Sequence, residues 1–180
     1  MTLRNMRRRI EQKRKYALLR FKKQKRLNLL AESGKYPYII VLDHLKPSFN
    51  IGKILRSADA FGAHEVHLIG TDFFDPAPAM GSFKWVPTRF HEDFEACHKE
   101  LNGRGYTLFI AEPSPGESLL SVRFPPKSAF IFGNEEYGIS FDKDDYEGTR
   151  LLNIPQFGKV HSLNVSIAAS VVMYEYVRQQ

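Results

Sequence analysis

The sequence predicts an α/β fold, a mostly parallel sheet flanked by helices, preceded by a basic N-terminal helix. Three observations lead there. From residue 36 onward, short β-rich apolar runs alternate with helical stretches, the pattern of strands joined by crossover helices. Residues 5–33 hold neither Pro nor Gly and are rich in good helix formers. The charge is also divided: residues 1–35 carry 13 Lys and Arg against 2 Asp and Glu, a local +11, while the other 145 carry 13 against 18, or −5.

Taken in order, the first helix spans about Asn5 to Ser33, with Met6, Ile10, Ala17 and Phe21 on a loose apolar stripe and Gly34 ending it. Tyr38 to Leu42 is a buried-strand run, followed by a helix from about Ile51 to Phe61 and a second strand, Glu65 to Ile69, closed by Gly70. A Pro- and Phe-rich loop leads to a short edge strand at Trp85–Thr88. Asp93 to Asn102 reads as a helix and Tyr106 to Ala111 as a strand. Ala129–Phe132 and Arg150–Ile154 supply two more strands, and Leu163 to Arg178 a terminal helix with Ser162 as its N-cap. The division is therefore a basic helical arm over residues 1–35 and an α/β domain over 36–180.

Composition narrows the function. With 43% hydrophobic residues in 180, the chain can fill a core, and no apolar run reaches the roughly 18 residues that span a bilayer. The basic N-terminus has no apolar segment after it, so no secretory signal is read and the chain is expected in the cytoplasm, with no membrane partner. The single cysteine, Cys97, excludes an internal disulfide and reads as a small core residue. His64-x-x-His67 falls on a short strand without further clustered ligands, so no metal is expected. A +11 arm points to an anionic polymer, and phosphate contact by Arg7, Arg8, Arg9, Lys13, Arg14, Lys22 and Lys23 fits because counterion release rewards such charge density. A solvated tail is the plain alternative.

Ligands of open α/β sheets bind beyond the carboxyl ends of the strands, and three such ends carry unusual residues. After the first strand come Asn50, Gly52, Lys53 and Arg56 at the start of a helix. After Phe132 come Gly133-Asn134-Glu135-Glu136 and Gly138-Ile139-Ser140. After Ile154 come Pro155-Gln156, Gly158, and then Ser162-Leu163-Asn164-Val165-Ser166 opening the terminal helix. Singly, each has an ordinary account: Asn50 as a helix cap, Arg56 as a salt-bridge partner, the paired glutamates as a solvated turn. Asn164 inside a first turn is unexplained by propensity.

Together, in this order and spacing, the three segments resemble the signature motifs of the SpoU-type (TrmH-like) RNA ribose 2′-O-methyltransferases of the SPOUT superfamily, over about residues 38–178. The resemblance implies a C-terminal trefoil knot, S-adenosyl-L-methionine as cofactor, a tRNA or rRNA substrate and a homodimer packed through the terminal helix. It implies that Arg56 acts on the ribose 2′-hydroxyl, that Asn50 positions the nucleotide, and that Glu135, Ser162 and Asn164 complete the catalytic set. Cofactor contacts fall to Ala111, Glu112, Pro113, Phe132, Gly133, Ile154, Pro155, Gln156, Ser162, Leu163 and Asn164, and Lys53 adds positive charge for RNA at the active face. The chain departs from the family pattern twice: Glu136 stands where Gly is common, and Gln156 where Met is common. The alternatives are a knotted RNA-binding protein without turnover and a base methyltransferase of the same superfamily.

Overall fold

In the computed structural model, which describes residues 3–47, 49–113 and 115–180, the chain runs through four helices and seven strands. They are α1 (Leu3–Asn28), β1 (Tyr36–Asp43), α2 (Phe49–Ala60), β2 (Ala63–Ile69), β3 (Thr88–His91), α3 (Phe94–Gly103), β4 (Thr107–Ala111), β5 (Glu117–Ser118), β6 (Ser128–Phe132), β7 (Arg150–Asn153) and α4 (Val165–Gln179). The strands form one sheet in the order β3-β2-β1-β6-β4-β7-β5, and every pair is parallel.

Alternation along the strands sorts the core into two layers. Tyr38, Ile40 and Leu42 of β1 face Ile51, Ile54 and Leu55 of α2 and Ala169, Val172 and Tyr176 of α4. Ile39 and Val41 face the other way, with Phe94, Cys97 and Leu101 of α3. The sheet is thus covered on both sides, which parallel strands require.

Three boundaries differ from the sequence expectation for tertiary reasons, and one short strand goes unread. α1 stops at Asn28 rather than Ser33. The buried Asn28 amide donates to the Phe83 and Val86 carbonyls, both at 2.6 Å, and accepts from the Thr88 N–H at 3.0 Å. Gly34 is therefore not the helix stop; a Cβ there would sit 2.2 Å from the Ala63 carbonyl oxygen, so glycine permits the close approach to β2. The edge strand is Thr88–His91, because residues 77–79 and 82–84 close into short 3-10 turns first. The two-residue β5 carries no apolar run and so has no sequence signal. Finally, α4 is capped by Asn164, whose side chain accepts from the Ser166 N–H at 3.0 Å, so Ser162 is not the cap. That also accounts for the asparagine that helix propensity does not.

The second half of α1 is fastened to this body. Phe21 is buried among Phe73, Phe74, Phe83 and Phe90, with ring centroids 5.3–6.3 Å apart. Residues 5–16 are all exposed.

Candidate active site

The carboxyl ends of β1 and β6 adjoin in the sheet, since Leu42 pairs with Phe132. Their two loops are tied together from below. Asp43, wholly buried, accepts from the Ser140 N–H at 2.6 Å and the Ser140 hydroxyl at 2.9 Å. Asn134 donates to the His44 carbonyl at 2.7 Å, while its own oxygen accepts from the N–H groups of Glu136 and Tyr137 at 2.9 and 3.2 Å. Residues 134–138 close as a tight loop, with Asn134 and Gly138 exchanging backbone hydrogen bonds and Gly138 at φ +76°. A Cβ on Gly133 would lie 2.4 Å from the Gly138 carbonyl carbon, so only glycine allows the chain to fold back there.

This frame presents three polar side chains to one another. Asn50, in the first turn of α2, donates from Nδ2 to Glu135 Oε1 at 2.7 Å. Its Oδ1 accepts from Asn164 Nδ2 at 3.3 Å, and Glu135 Oε2 also accepts from the Lys46 N–H at 3.2 Å. Asn50 is thus no helix cap; its amide bridges a carboxylate and a second amide. The three motif segments, separated by up to 114 positions in sequence, converge through these side chains. Beside them the ammonium of Lys46 pairs with Glu136 at 2.7 Å, an exposed contact that holds the Glu136 carboxyl below its ordinary range.

A cavity of about 510 Å³ opens next to this cluster, within the size range of small-ligand sites. Its walls include Ala111, Glu112, Pro113, Phe132, Gly133, Ile154, Gln156, Ser162, Leu163 and Asn164. Of the cofactor contacts expected from sequence only Pro155 is not on its wall. Ile139, Leu152, Val165 and Ala168 complete the apolar lining. Sequence reasoning misses these four because an apolar residue facing a cavity looks like one facing a core. Gln156 Oε1 is buried there without a hydrogen-bond partner among the described residues. An orphaned acceptor on an apolar wall fits a ligand carrying an N–H group, as the adenine amino group of S-adenosylmethionine does.

Ser162 lines the cavity but forms no hydrogen bond with Asn50, Glu135 or Asn164. Arg56 is exposed on α2, away from the cavity wall, and among the described residues its guanidinium has no ion pair or hydrogen bond. The surface salt bridge that would explain it structurally is therefore not made. Lys53 is exposed one turn earlier on the same helix. Arg7, Arg8, Arg9, Lys13, Arg14, Lys22 and Lys23 are exposed along α1.

These features define a parallel α/β protein with a ligand cavity at the strand ends and a polar cluster at its mouth. Residues 37–174 match the model of the SpoU rRNA Methylase family, and the chain belongs to that family. The chain is 32% identical over 146 residues to a tRNA (guanosine(18)-2′-O)-methyltransferase of Thermus thermophilus, covering 78% of this chain and 74% of that one. Among solved structures it resembles the A. aeolicus TrmH/SpoU tRNA modifying enzyme, with a TM-score of 0.73 and 26% identity over 88% of this chain and 82% of that one. It also resembles the SpoU methyltransferase AviRb from Streptomyces viridochromogenes in complex with AdoMet, with a TM-score of 0.70 and 27% identity, over 81% of this chain but 58% of the other. Among the described residues, no helix is long and apolar enough to cross a membrane.

Proposed function

We propose that this S-adenosylmethionine-dependent RNA 2′-O-ribose methyltransferase acts on a structured cytoplasmic tRNA or rRNA, held by α1 and methylated at the Asn50–Glu135–Asn164 cluster. The observation that carries the reading is that cluster: three distant segments meet in hydrogen bonds at the mouth of a cavity suited to the cofactor. S-adenosylmethionine supplies a methyl group already activated by its sulfonium, so the protein's task is alignment and removal of one proton.

Asn50 and Asn164 are held by Glu135 and by each other, and they position the nucleotide without reorganising during the reaction. Arg56, exposed and unpaired, is free to meet the ribose 2′-hydroxyl and a neighbouring phosphate together. A guanidinium keeps its proton, so Arg56 orients the hydroxyl and offsets developing negative charge while the hydroxyl's proton passes to solvent. Ser162 assists from the cavity wall. Phe132-Gly133, Ile154-Pro155-Gln156, Ser162-Leu163-Asn164 and Ala111-Glu112-Pro113 would hold the cofactor. The segment after β7 is read as the threading part of a trefoil knot. The support is that α4 packs back on α2 and β6 after the chain has left the far side of β4.

Residues 1–35 form the RNA-binding arm and 36–180 the methyltransferase domain, with Arg7, Arg8, Arg9, Lys13, Arg14, Lys22, Lys23 and Lys53 meeting phosphates. A homodimer packed through α4 is supported by the exposed row Ile167, Val171 and Tyr174, spaced to share one helix face. Sedimentation equilibrium is expected to give a dimer; a monomer at micromolar concentration overturns that part alone.

The activity test is methyl transfer from labelled S-adenosylmethionine into total RNA of a strain lacking the gene, followed by mapping of ribose methylation. One 2′-O-methylated position is expected. Label on a base instead marks a base methyltransferase, and cofactor binding without any transfer marks an RNA-binding protein that has lost turnover.

A further inference from the structure

On the opposite side of the sheet from the cavity, β2, β3 and α3 gather a second set of chemically able side chains. Sequence pairs His67 with His64, but the fold pairs it otherwise. His67 and Glu65 stand two apart on β2 and share one face, turned toward α3. Parallel register sets Ile69 of β2 beside His91 of β3, which places His91 diagonally across from His67 on that same face. Cys97 of α3 packs down on both. His67 Nδ1 lies 3.0 Å from His91 Nε2 and 3.6 Å from Cys97 Sγ, and the three ligand atoms all fall within 4.8 Å of one another. His67 and Cys97 are wholly buried, and His91 is nearly so, on the edge strand.

We propose that His67, His91 and Cys97 form a binding site for a divalent transition metal of the zinc class, separate from the methyl-transfer site. Two of the three edges are spaced as around a tetrahedral ion, and the third, between His91 Nε2 and Cys97 Sγ, is within 4.8 Å. Bonds of about 2.0–2.1 Å to nitrogen and 2.3 Å to sulfur require N–N edges near 3.3 Å and N–S edges near 3.6 Å. The observed pair of separations needs only a few tenths of an ångström of adjustment.

The outer residues match as well. Glu65 Oε2 accepts from His67 Nε2 at 3.0 Å, which fixes the tautomer and leaves the Nδ1 lone pair directed at His91 and Cys97. Glu65 is itself held by Arg89 at 3.0 Å and Arg104 at 2.8 Å, so it is oriented before any ion arrives. The Glu100 carboxylate, 4.0 Å from His91 Nε2, is held by Arg89 at 3.3 Å and Arg104 at 3.0 Å, so the fourth position is left to a water. On binding, the Cys97 thiol proton leaves to solvent as the sulfur–metal bond forms. Two nitrogens and a thiolate favour zinc, cobalt or copper over magnesium or calcium, which take oxygen ligands. Its role there is structural, since it would join edge strand β3 and α3 to the sheet.

The test uses the full chain, stripped with a chelator and titrated with Co2+ while the near-ultraviolet thiolate-to-cobalt band is recorded. Wild type is expected to take up about one equivalent with that band, and zinc is expected to compete it away. Cys97→Ser, nearly equal in size, is expected to lose the band, and His91→Ala to weaken uptake about tenfold or more. Circular dichroism establishes that each variant is folded. Should Cys97→Ser fail to fold, His91→Ala on the sheet edge carries the comparison alone. A folded wild type that gives no band overturns the site, as does a band or affinity unchanged in either folded variant.

Discussion

Helix α1 and the cavity beyond β4, β6 and β7 are opposites in charge. α1 carries 12 Lys and Arg against a single acid, Glu11, on an element with little apolar cover over its first half. The cavity wall holds no Lys or Arg; its charged lining residues among those described are Glu112 and Glu135. Charge density selects a polyanion through counterion release, with little regard to shape. Apolar walls, tight glycine turns and one orphaned amide oxygen select a particular small molecule by fit. RNA affinity should therefore fall steeply with salt, whereas cofactor affinity should hardly move.

The largest expected effect lies on α2, which belongs to neither region. Arg56→Ala should lower methyl transfer by about 10²–10³-fold, the range for a group that stabilises developing negative charge. Cofactor affinity, measured by calorimetry, should stay within about twofold, because Arg56 is not on the cavity wall. Wild-type turnover in that variant would remove Arg56 from the mechanism and leave Asn50 and Glu135 without a partner in the chemistry.

The contrast is then sharpened within α1, whose two halves should separate cleanly. Phe21→Ala empties a site walled by four phenylalanines and should cost about 3–5 kcal/mol of stability, read by denaturant unfolding. Replacing Arg7, Arg8, Arg9, Lys13 and Arg14 together by Gln should leave stability unchanged, since residues 5–16 are exposed. It should weaken RNA binding and reduce the slope of log affinity against log salt by about one for each phosphate no longer neutralised. A reversal, with stability falling in the basic set and RNA binding failing in Phe21→Ala alone, would break the division of labour. Deleting residues 1–33 outright mixes both effects, because it removes Phe21 and Asn28 together with the arginines.

How much of this is legible in the sequence depends on distance along the chain. Strands β1, β4 and β6 are dense apolar runs and β2 a mixed one, and all four are placed within two residues. The end of α1 is not legible, because the helix is stopped at Asn28 by Phe83, Val86 and Thr88, some 55–60 positions away. Gly34 offers a local stop signal that the fold uses for close packing instead. Motif spacing marks Asn50, Glu135 and Asn164 as a set but is silent on their mutual bonds, which exist only once β1 and β6 lie side by side. His67, His91 and Cys97 have no readable spacing at all. Their proximity comes from strand register and from the helix that covers it.

Gln156 gives the smallest and most discriminating effect, because its two consequences have opposite signs. Its Oε1 is buried without a partner among the described residues, and such an atom costs about 1–3 kcal/mol until something donates to it. Gln156→Met, which keeps length and adds no polar atom, should therefore stabilise the cofactor-free protein by up to that amount. If the oxygen accepts from the adenine amino group, the same change should weaken S-adenosylmethionine binding by about tenfold, since one hydrogen bond nets roughly 0.5–1.5 kcal/mol. Thermal unfolding with and without cofactor reads both at once: the variant should start higher and gain less. A variant that starts higher and gains as much as wild type would show that Gln156 is a packing fault on the wall, and that shape alone, without this hydrogen bond, selects the cofactor.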